Sequence, residues 1–156
     1  HSSPRRQRQM CIRDSLRTDA GEELVLEKNF FVERLLFNDP ITPMSDNDKE
    51  EYLKPYLEKG ESRRPTLTWP RNIPLDGSEP SETLDEVIKN AEFHSSSDIP
   101  KLFINANPGL ILTGEQRDEI RKWSSIKEVE VKGNHFIQED SSEEITNLLK
   151  EFYNSL

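Results

Sequence analysis

The sequence contains a single cysteine, Cys11, and no long apolar run. One cysteine permits neither an internal disulfide nor a cysteine-based metal cluster, so we expect no metal site. Such sparing use of cysteine is typical of a reducing compartment, and a cytoplasmic location is expected. A helix that spans a bilayer needs about 18 successive apolar residues. No such run occurs, so we expect no membrane partner.

The chain is also short of positive charge. Its 156 residues carry 21 Lys and Arg against 30 Asp and Glu, a net charge of −9. Such a surface repels phosphate groups, which argues against nucleic acids and anionic membranes as partners. The 32% hydrophobic and 8% aromatic content is modest. It predicts a folded chain of one domain, or part of one, with a strongly solvated surface.

What positive charge there is gathers at the beginning of the chain. Residues 1–17, HSSPRRQRQMCIRDSLR, contain five arginines and one acid, Asp14. A secretory signal would place an apolar run after its basic region, and Met10, Cys11 and Ile12 are too few to form one. We interpret residues 1–17 as a foreign or disordered basic segment and exclude them from the functional argument.

Apolar spacing near 3.6 predicts an amphipathic helix over residues 20–37. Ser45, with Asp48 three residues later, predicts the start of a second helix that ends at Gly60. Residues 63–80 are rich in proline and predict only short helical turns and loops. A third helix begins at residues 80–82, and its spacing gives it one apolar side made of Leu84, Val87, Ile88 and Ala91.

Strands and helices alternate in the second half. The phrases KLFINAN at residues 101–107 and IKEVEVK at 126–132 predict two strands, with helices over residues 113–123 and 143–156. This alternation implies a βαβ connection and therefore two parallel strands. A two-stranded parallel sheet is not stable alone, because both faces and both edges need neighbours. We therefore predict an α/β fold with an incomplete sheet.

One histidine lies where such sheets bind ligands. Loops at the carboxyl ends of parallel strands converge on the ligand site, and His135 follows the second strand in the phrase VKGNHFIQED at residues 131–140. A histidine in that position suits a general base that takes a proton from water or substrate. A solvated or hydrogen-bonded structural histidine fits the position as well.

Three phrases carry a family resemblance: LEKNFFVERLL at residues 26–36, KGESRRPTLTWPRNIPL at 59–75 and VKGNHFIQED at 131–140. Together they resemble the Renilla-type luciferases and the haloalkane dehalogenases of the α/β-hydrolase superfamily. The resemblance runs from about Thr18 to the carboxyl terminus. The proline-rich phrase is long and unusual, which makes it the most specific of the three.

The resemblance implies the carboxyl-terminal part of an α/β-hydrolase fold. Residues 18–77 would form the helical cap, and residues 78–156 the last two parallel strands of the core with their flanking helices. His135 matches the catalytic histidine of the family. The nucleophilic aspartate, on a Gly-x-Asp-Trp-Gly turn, and the supporting glutamate have no counterpart here. An amino-terminal half of the fold is therefore expected as partner, and the isolated chain is not expected to turn over substrate.

The resemblance also assigns residues to the lining of an apolar substrate cavity: Phe30, Phe31, Trp69, Pro70, Ile73, Leu110 and Ile111. Ordinary packing between cap and core would explain Phe31 as well. The luciferase pattern prefers two phenylalanines at the positions of Leu110 and Ile111, so these aliphatic residues depart from it. Asn107 stands where many α/β hydrolases place the triad acid, and an amide cannot stabilise an imidazolium as a carboxylate does.

The activity implied first is that of a luciferase-like coelenterazine 2-monooxygenase, which uses O₂, emits light and needs no cofactor. The first alternative is a haloalkane dehalogenase-like hydrolase of the same family. Both act on a small apolar substrate. A second alternative is a truncated product without catalytic activity.

Overall fold

A computed structural model describes residues 15–73 and 81–156. The chain forms two compact units. The described part of the first consists of residues 15–39 and 43–73, and the second consists of residues 40–42 and 81–156. Within the described residues, no helix has the length and apolar character needed to cross a bilayer. The names cap and core for residues 18–77 and 78–156 remain predictions from the resemblance.

The first unit is helical. Its elements are α1 (Asp19–Leu26), a π-helix (Phe31–Leu36), α2 (Asp46–Leu53), two short 3₁₀ helices (Lys54–Tyr56 and Glu61–Arg63) and α3 (Arg64–Arg71).

The predicted single helix over residues 20–37 is wrong, because α1 ends at Leu26 and the π-helix follows separately. Asn29 lies between them with a φ of 50°, a left-handed conformation that cannot continue an α-helix and that asparagine tolerates better than most residues. The side chain of Asn29 is buried, and neither amide atom has a hydrogen-bond partner among residues 15–73 and 81–156. The chain therefore changes direction just before Phe30 and Phe31.

The core of the first unit is small. Leu16, Val25, Leu26 and Leu67 are buried together, and Leu35 packs against them. Gly21 in α1 allows this packing, because a Cβ there would lie 2.2 Å from the carbonyl oxygen of Ser15. Leu16 belongs to the segment 1–17 that we interpret as foreign, whereas residues 1–14 lie outside the described residues. The boundary at residue 17 remains a prediction.

Arg63 holds the ends of two helices together. It is only 6% exposed, and its guanidinium donates to the carbonyl oxygens of Leu26 and Glu27 at the end of α1 and of Tyr56 and Leu57 beyond α2. Helix carboxyl ends carry partial negative charge, so these carbonyl groups favour the cation at this position.

The cap of α2 is confirmed, because the Ser45 side chain accepts a hydrogen bond from the Asp48 N–H at 3.2 Å. The predicted end at Gly60 is wrong. The α-helix stops at Leu53, and Pro55 lies in the following 3₁₀ helix. The expectation of short elements in the proline-rich stretch is confirmed for residues 63–73, where α3 has eight residues. Residues 74–80 lie outside the described part.

The second unit is built on two strands. It contains α4 (Ser81–Ser96), β1 (Lys101–Pro108), α5 (Glu115–Ile120), β2 (Ile126–Gly133) and α6 (Ile137–Asn154). The strands are parallel, in register from Lys101 opposite Ile126 to Pro108 opposite Gly133. The predicted βαβ unit is therefore confirmed, although α5 is shorter than predicted.

Helix α6 begins at Ile137, six residues before the predicted start at residue 143. Its first turn is set apart by a kink at Ser141, where φ is −137° and ψ is 33°. The apolar side predicted for α4 exists but stays largely exposed, with Val87 and Ile88 at 48% and 47% exposure. The second unit thus leaves an apolar helix face in contact with solvent.

Candidate functional site

The carboxyl ends of the two strands lie side by side. Pro108 is the register partner of Gly133, and the N–H of Gly109 donates to the carbonyl oxygen of Gly133 at 3.0 Å. The loops that carry Leu110 and His135 therefore start from neighbouring points on one edge of the sheet. This confirms the expectation that both loops open on the same edge.

His135 is exposed on the loop between β2 and α6, two residues beyond the end of the strand. Its ring packs edge to face on Phe136, with centroids 4.8 Å apart. The loop is short and closely held. A Cβ on Gly133 would lie 3.0 Å from the Ile137 side chain, and the hydroxyl of Ser141 donates to the carbonyl oxygen of Lys132 at 2.7 Å. The fold thus presents an imidazole to solvent at the edge where ligands bind.

The loop after β1 is held by Arg117. The guanidinium donates to the carbonyl oxygen of Ala106 at 3.0 Å and to that of Leu112 at 3.1 and 3.2 Å. Gly109, with a φ of 70°, lies close to this guanidinium. A Cβ on Gly109 would lie 2.7 Å from the carbonyl oxygen of Ala106 and 2.8 Å from the Arg117 side chain. Leu110 is partly buried, and Ile111 is 45% exposed. Arg117 therefore fixes the loop that presents both aliphatic side chains.

The remaining predicted lining residues belong to the first unit. Phe30 and Phe31 are partly buried at the start of the π-helix, and Trp69 on α3 is 61% exposed. Pro70 is buried, and Ile73 is partly buried. The structure thus brings His135, Leu110 and Ile111 to one sheet edge. That all eight residues surround one cavity remains a prediction.

Two asparagines of β1 donate to glutamates of β2. Asn107 donates to Glu130 at 2.8 Å, so its amide is engaged within the sheet. Asn105 is buried and donates to Glu128 at 2.8 Å. The guanidinium of Arg121 hydrogen-bonds both oxygens of Glu128 and holds the pKa of that carboxyl below its ordinary value. These cross-strand pairs were not predicted from the sequence. The signal for them was the spacing, because the two asparagines are two residues apart in β1 and the two glutamates are two residues apart in β2.

A groove of about 420 Å³ opens at the same edge. It is lined by the ends of β1 and β2 together with Ile41 and Glu144, and not by His135. Charged side chains such as Glu130 and Lys132 contribute to its wall, which does not suit an apolar substrate. Within residues 15–73 and 81–156, no three His, Cys, Asp or Glu side chains are grouped so as to hold a metal ion.

Known proteins match the chain closely over part of their length. A haloalkane dehalogenase of Sphingobium indicum is 48% identical over 131 residues, which cover 84% of this chain and 44% of that protein. A haloalkane dehalogenase of Mycolicibacterium smegmatis is 45% identical over 139 residues. The coelenterazine h 2-monooxygenase of Renilla reniformis is 39% identical over 138 residues. No protein-family model matches the chain.

The chain is homologous to haloalkane dehalogenases and to the Renilla luciferase. Solved structures agree. A haloalkane dehalogenase of Agrobacterium tumefaciens C58 matches 98% of the chain and 52% of its own, with a TM-score of 0.83 and 29% identity. An ancestral haloalkane dehalogenase matches with a TM-score of 0.84 and 28% identity, over 99% of this chain and 54% of its own.

The dehalogenase homologues establish the fold class as α/β-hydrolase. The chain spans about 44% of the length of the curated relatives and about half of the solved chains. This coverage is consistent with the predicted carboxyl-terminal part of the fold. Dehalogenases are more frequent among these relatives, and three of them, at 45–48% identity, are more similar to this chain than the Renilla enzyme at 39% is.

Proposed function

We propose that this chain supplies the catalytic histidine and part of the substrate cavity of an α/β-hydrolase-fold enzyme whose nucleophile lies outside these residues. One observation carries the proposal: His135 is exposed on the loop that leaves the carboxyl end of β2, beside the loop of Leu110 and Ile111. Identities of 45–48% to dehalogenases favour a haloalkane dehalogenase-like hydrolase as the intact protein.

In that reaction an aspartate of the amino-terminal half attacks the carbon that bears the halogen. The carbon–halogen bond breaks, halide leaves and an alkyl ester of the aspartate forms. His135 then takes one proton from water as the water attacks the ester carbonyl. The ester carbon–oxygen bond breaks, the alcohol leaves with the other proton of that water, the aspartate is regenerated, and the proton on His135 passes to solvent. The exposed position of His135 supports this role, because the ring must reach both water and the ester.

The apolar side chains have a separate task in the proposal. Phe30, Phe31, Trp69, Pro70 and Ile73 of the first unit, with Leu110 and Ile111 of the second, would enclose a small apolar substrate and exclude bulk water. The aliphatic pair Leu110 and Ile111 suits a haloalkane, because such a substrate offers no aromatic ring for stacking. The reaction as written needs no cofactor.

A second candidate is the luciferase-like monooxygenase, which would oxidise coelenterazine with O₂. The 39% identity to the Renilla enzyme and the shared phrases around Phe30 and Trp69 favour it. The aliphatic pair at 110 and 111 weakens it, because a large aromatic luciferin would lose stacking partners there.

The test uses the intact protein that carries this chain, assayed in parallel with 1,2-dibromoethane and with coelenterazine. We expect halide release without light. In the His135→Gln variant we expect one burst of halide, stoichiometric with enzyme, followed by a fall in turnover on the order of 10²–10⁴-fold, because ester formation does not need the base. The control is His94→Gln, which removes an exposed histidine of α4.

Light without halide would support the luciferase candidate instead. Steady halide release by His135→Gln would exclude His135 as the base. Absence of both products would support a protein without catalytic activity.

A further inference from the structure

Three residues, Pro40–Thr42, pack with the second unit before the chain returns to the first. Pro40–Thr42 belong to the second unit, although the described residues 15–39 and 43–73 belong to the first. Pro40 and Pro43, which flank Ile41 and Thr42, have no backbone N–H to donate. Contacts with the rest of the second unit are therefore needed to hold Pro40–Thr42, here called the crossing segment, in place.

The carboxylate of Asp140 accepts hydrogen bonds from this segment. One oxygen of its carboxylate accepts from the N–H of Ile41 at 3.0 Å, and the other accepts from the N–H of Thr42 at 2.8 Å. Both bonds are charge-assisted, and such bonds are roughly twice as strong as neutral ones. An acid in the first turn of a helix commonly serves the helix dipole. Here both oxygens instead bind donors that lie 99 and 98 residues away in the chain.

The backbone next to Asp140 explains why it can do so. Ser141 departs from helical geometry, is buried and donates its hydroxyl to the carbonyl oxygen of Lys132 at 2.7 Å. This bond closes residues 132–141 into a short loop that contains His135. Asp140 lies at the end of that loop, between the histidine and the rest of α6.

We propose that Asp140 is a positioning residue that ties the crossing segment to the His135 loop. One carboxylate fixes the backbone of Ile41 and Thr42 against the same turn that Ser141 locks to the end of β2. A catalytic role for His135 rests on the function proposed above, whereas the anchoring of Ile41 and Thr42 does not.

Hydrogen exchange of the intact protein that carries this chain, read by mass spectrometry with residue-resolving fragmentation at low micromolar concentration, tests the anchor. Asp140→Ala removes both acceptors, and we expect the amides of Ile41 and Thr42 to exchange about tenfold faster. Asp140→Asn keeps one carbonyl oxygen, so only one of the two amides should accelerate. Glu151→Gln removes an exposed charge from the same helix and should change neither amide.

The link to the histidine needs a second measurement. In the same protein with labelled histidines, we expect the His135 ring signals to shift in Asp140→Ala, while those of His94 stay unchanged. Unaltered exchange at Ile41 and Thr42 in both variants would overturn the anchor. Faster exchange with unshifted His135 signals would overturn the tie to the loop.

The amide of Ile104 in β1 monitors folding. Faster exchange of Ile104 in Asp140→Ala would mean that this variant is unfolded. The anchor is then judged on Asp140→Asn, in which only one of the amides of Ile41 and Thr42 should exchange faster. None of these measurements depends on turnover. A failure of the proposed enzyme activity is therefore distinguishable from a failure of the anchor.

Discussion

Replacing Arg63 by methionine removes the group that holds two helix ends in the first unit. The guanidinium donates four hydrogen bonds to carbonyl oxygens at 2.8–3.3 Å. Methionine fills much of the same volume and donates none. Leu26 keeps a second donor, the N–H of Gly60 at 3.1 Å. The carbonyl groups of Glu27, Tyr56 and Leu57 lose the bond from Arg63.

A hydrogen bond to a charged group contributes roughly 1.5–3 kcal/mol, and a buried acceptor left unpaired costs about 1–3 kcal/mol. Removal of a buried cation, for which the described part of the chain provides no carboxylate partner, offsets part of this loss. We therefore expect Arg63→Met to lower the free energy of unfolding by about 3 kcal/mol, a large part of the 5–15 kcal/mol typical of a domain. The free energy of unfolding of Arg63→Lys should lie between those of the parent protein and Arg63→Met, because lysine is charged but lacks the planar fork of donors.

The assay is urea denaturation followed by tryptophan fluorescence. The chain has two tryptophans, so a Trp123→Phe background leaves Trp69 as the reporter of the first unit. Arg34→Met, which removes an exposed guanidinium from the π-helix, is the matched control and should change stability by less than about 0.5 kcal/mol. A midpoint for Arg63→Met equal to that of Arg34→Met would refute the reasoning.

Three further predictions concern backbone and charge. Gly109→Ala should lose on the order of 2–3 kcal/mol in urea denaturation, because a side chain at a φ of 70° is strained and its Cβ would lie 2.7 Å from the Ala106 oxygen. Asn29→Gly should be more stable than Asn29→Ala by about 1 kcal/mol in the same assay, because the φ of 50° favours glycine. The hydrogen bond from Arg64 lowers the pKa of Glu22 below its ordinary 4.5. Its contribution to stability is therefore fully present above pH 4.5 and is lost as the pH falls through the lowered pKa, so Glu22→Gln should lower the melting temperature at pH 7 and have a progressively smaller effect as the pH is lowered below 4.5.

Local patterns predicted the secondary structure of the second unit well. The apolar run around Phe103 and the alternation around Val129 gave both strands, and their order along the chain gave the parallel pairing. The same loop argument placed His135 on the correct sheet edge. Each of these features depends on residues close together in sequence, which is why the sequence suffices.

Features that depend on one unusual residue or on a distant partner were missed. A single left-handed residue, Asn29, breaks the predicted first helix. The early start of α6 comes with a kink at Ser141, whose hydroxyl donates to the carbonyl oxygen of Lys132, and the anchor at Asp140 depends on donors nearly one hundred residues away. No periodicity encodes such contacts, because they involve hydrogen bonds between side chains and distant backbone.

The apolar face of α4 was predicted from local periodicity, but its exposure was not. Periodicity correctly placed Val87 and Ile88 on one side of the helix, yet both remain about half exposed. An amphipathic helix gains its stability from burial of its apolar side, so this side requires a cover. Strand β1 is apolar around Phe103 and has β2 as its neighbour in the described sheet, whereas buried parallel strands have neighbours on both edges. Both observations are explained by the proposal that the remaining strands of an α/β-hydrolase sheet lie outside these residues and pack against α4 and β1.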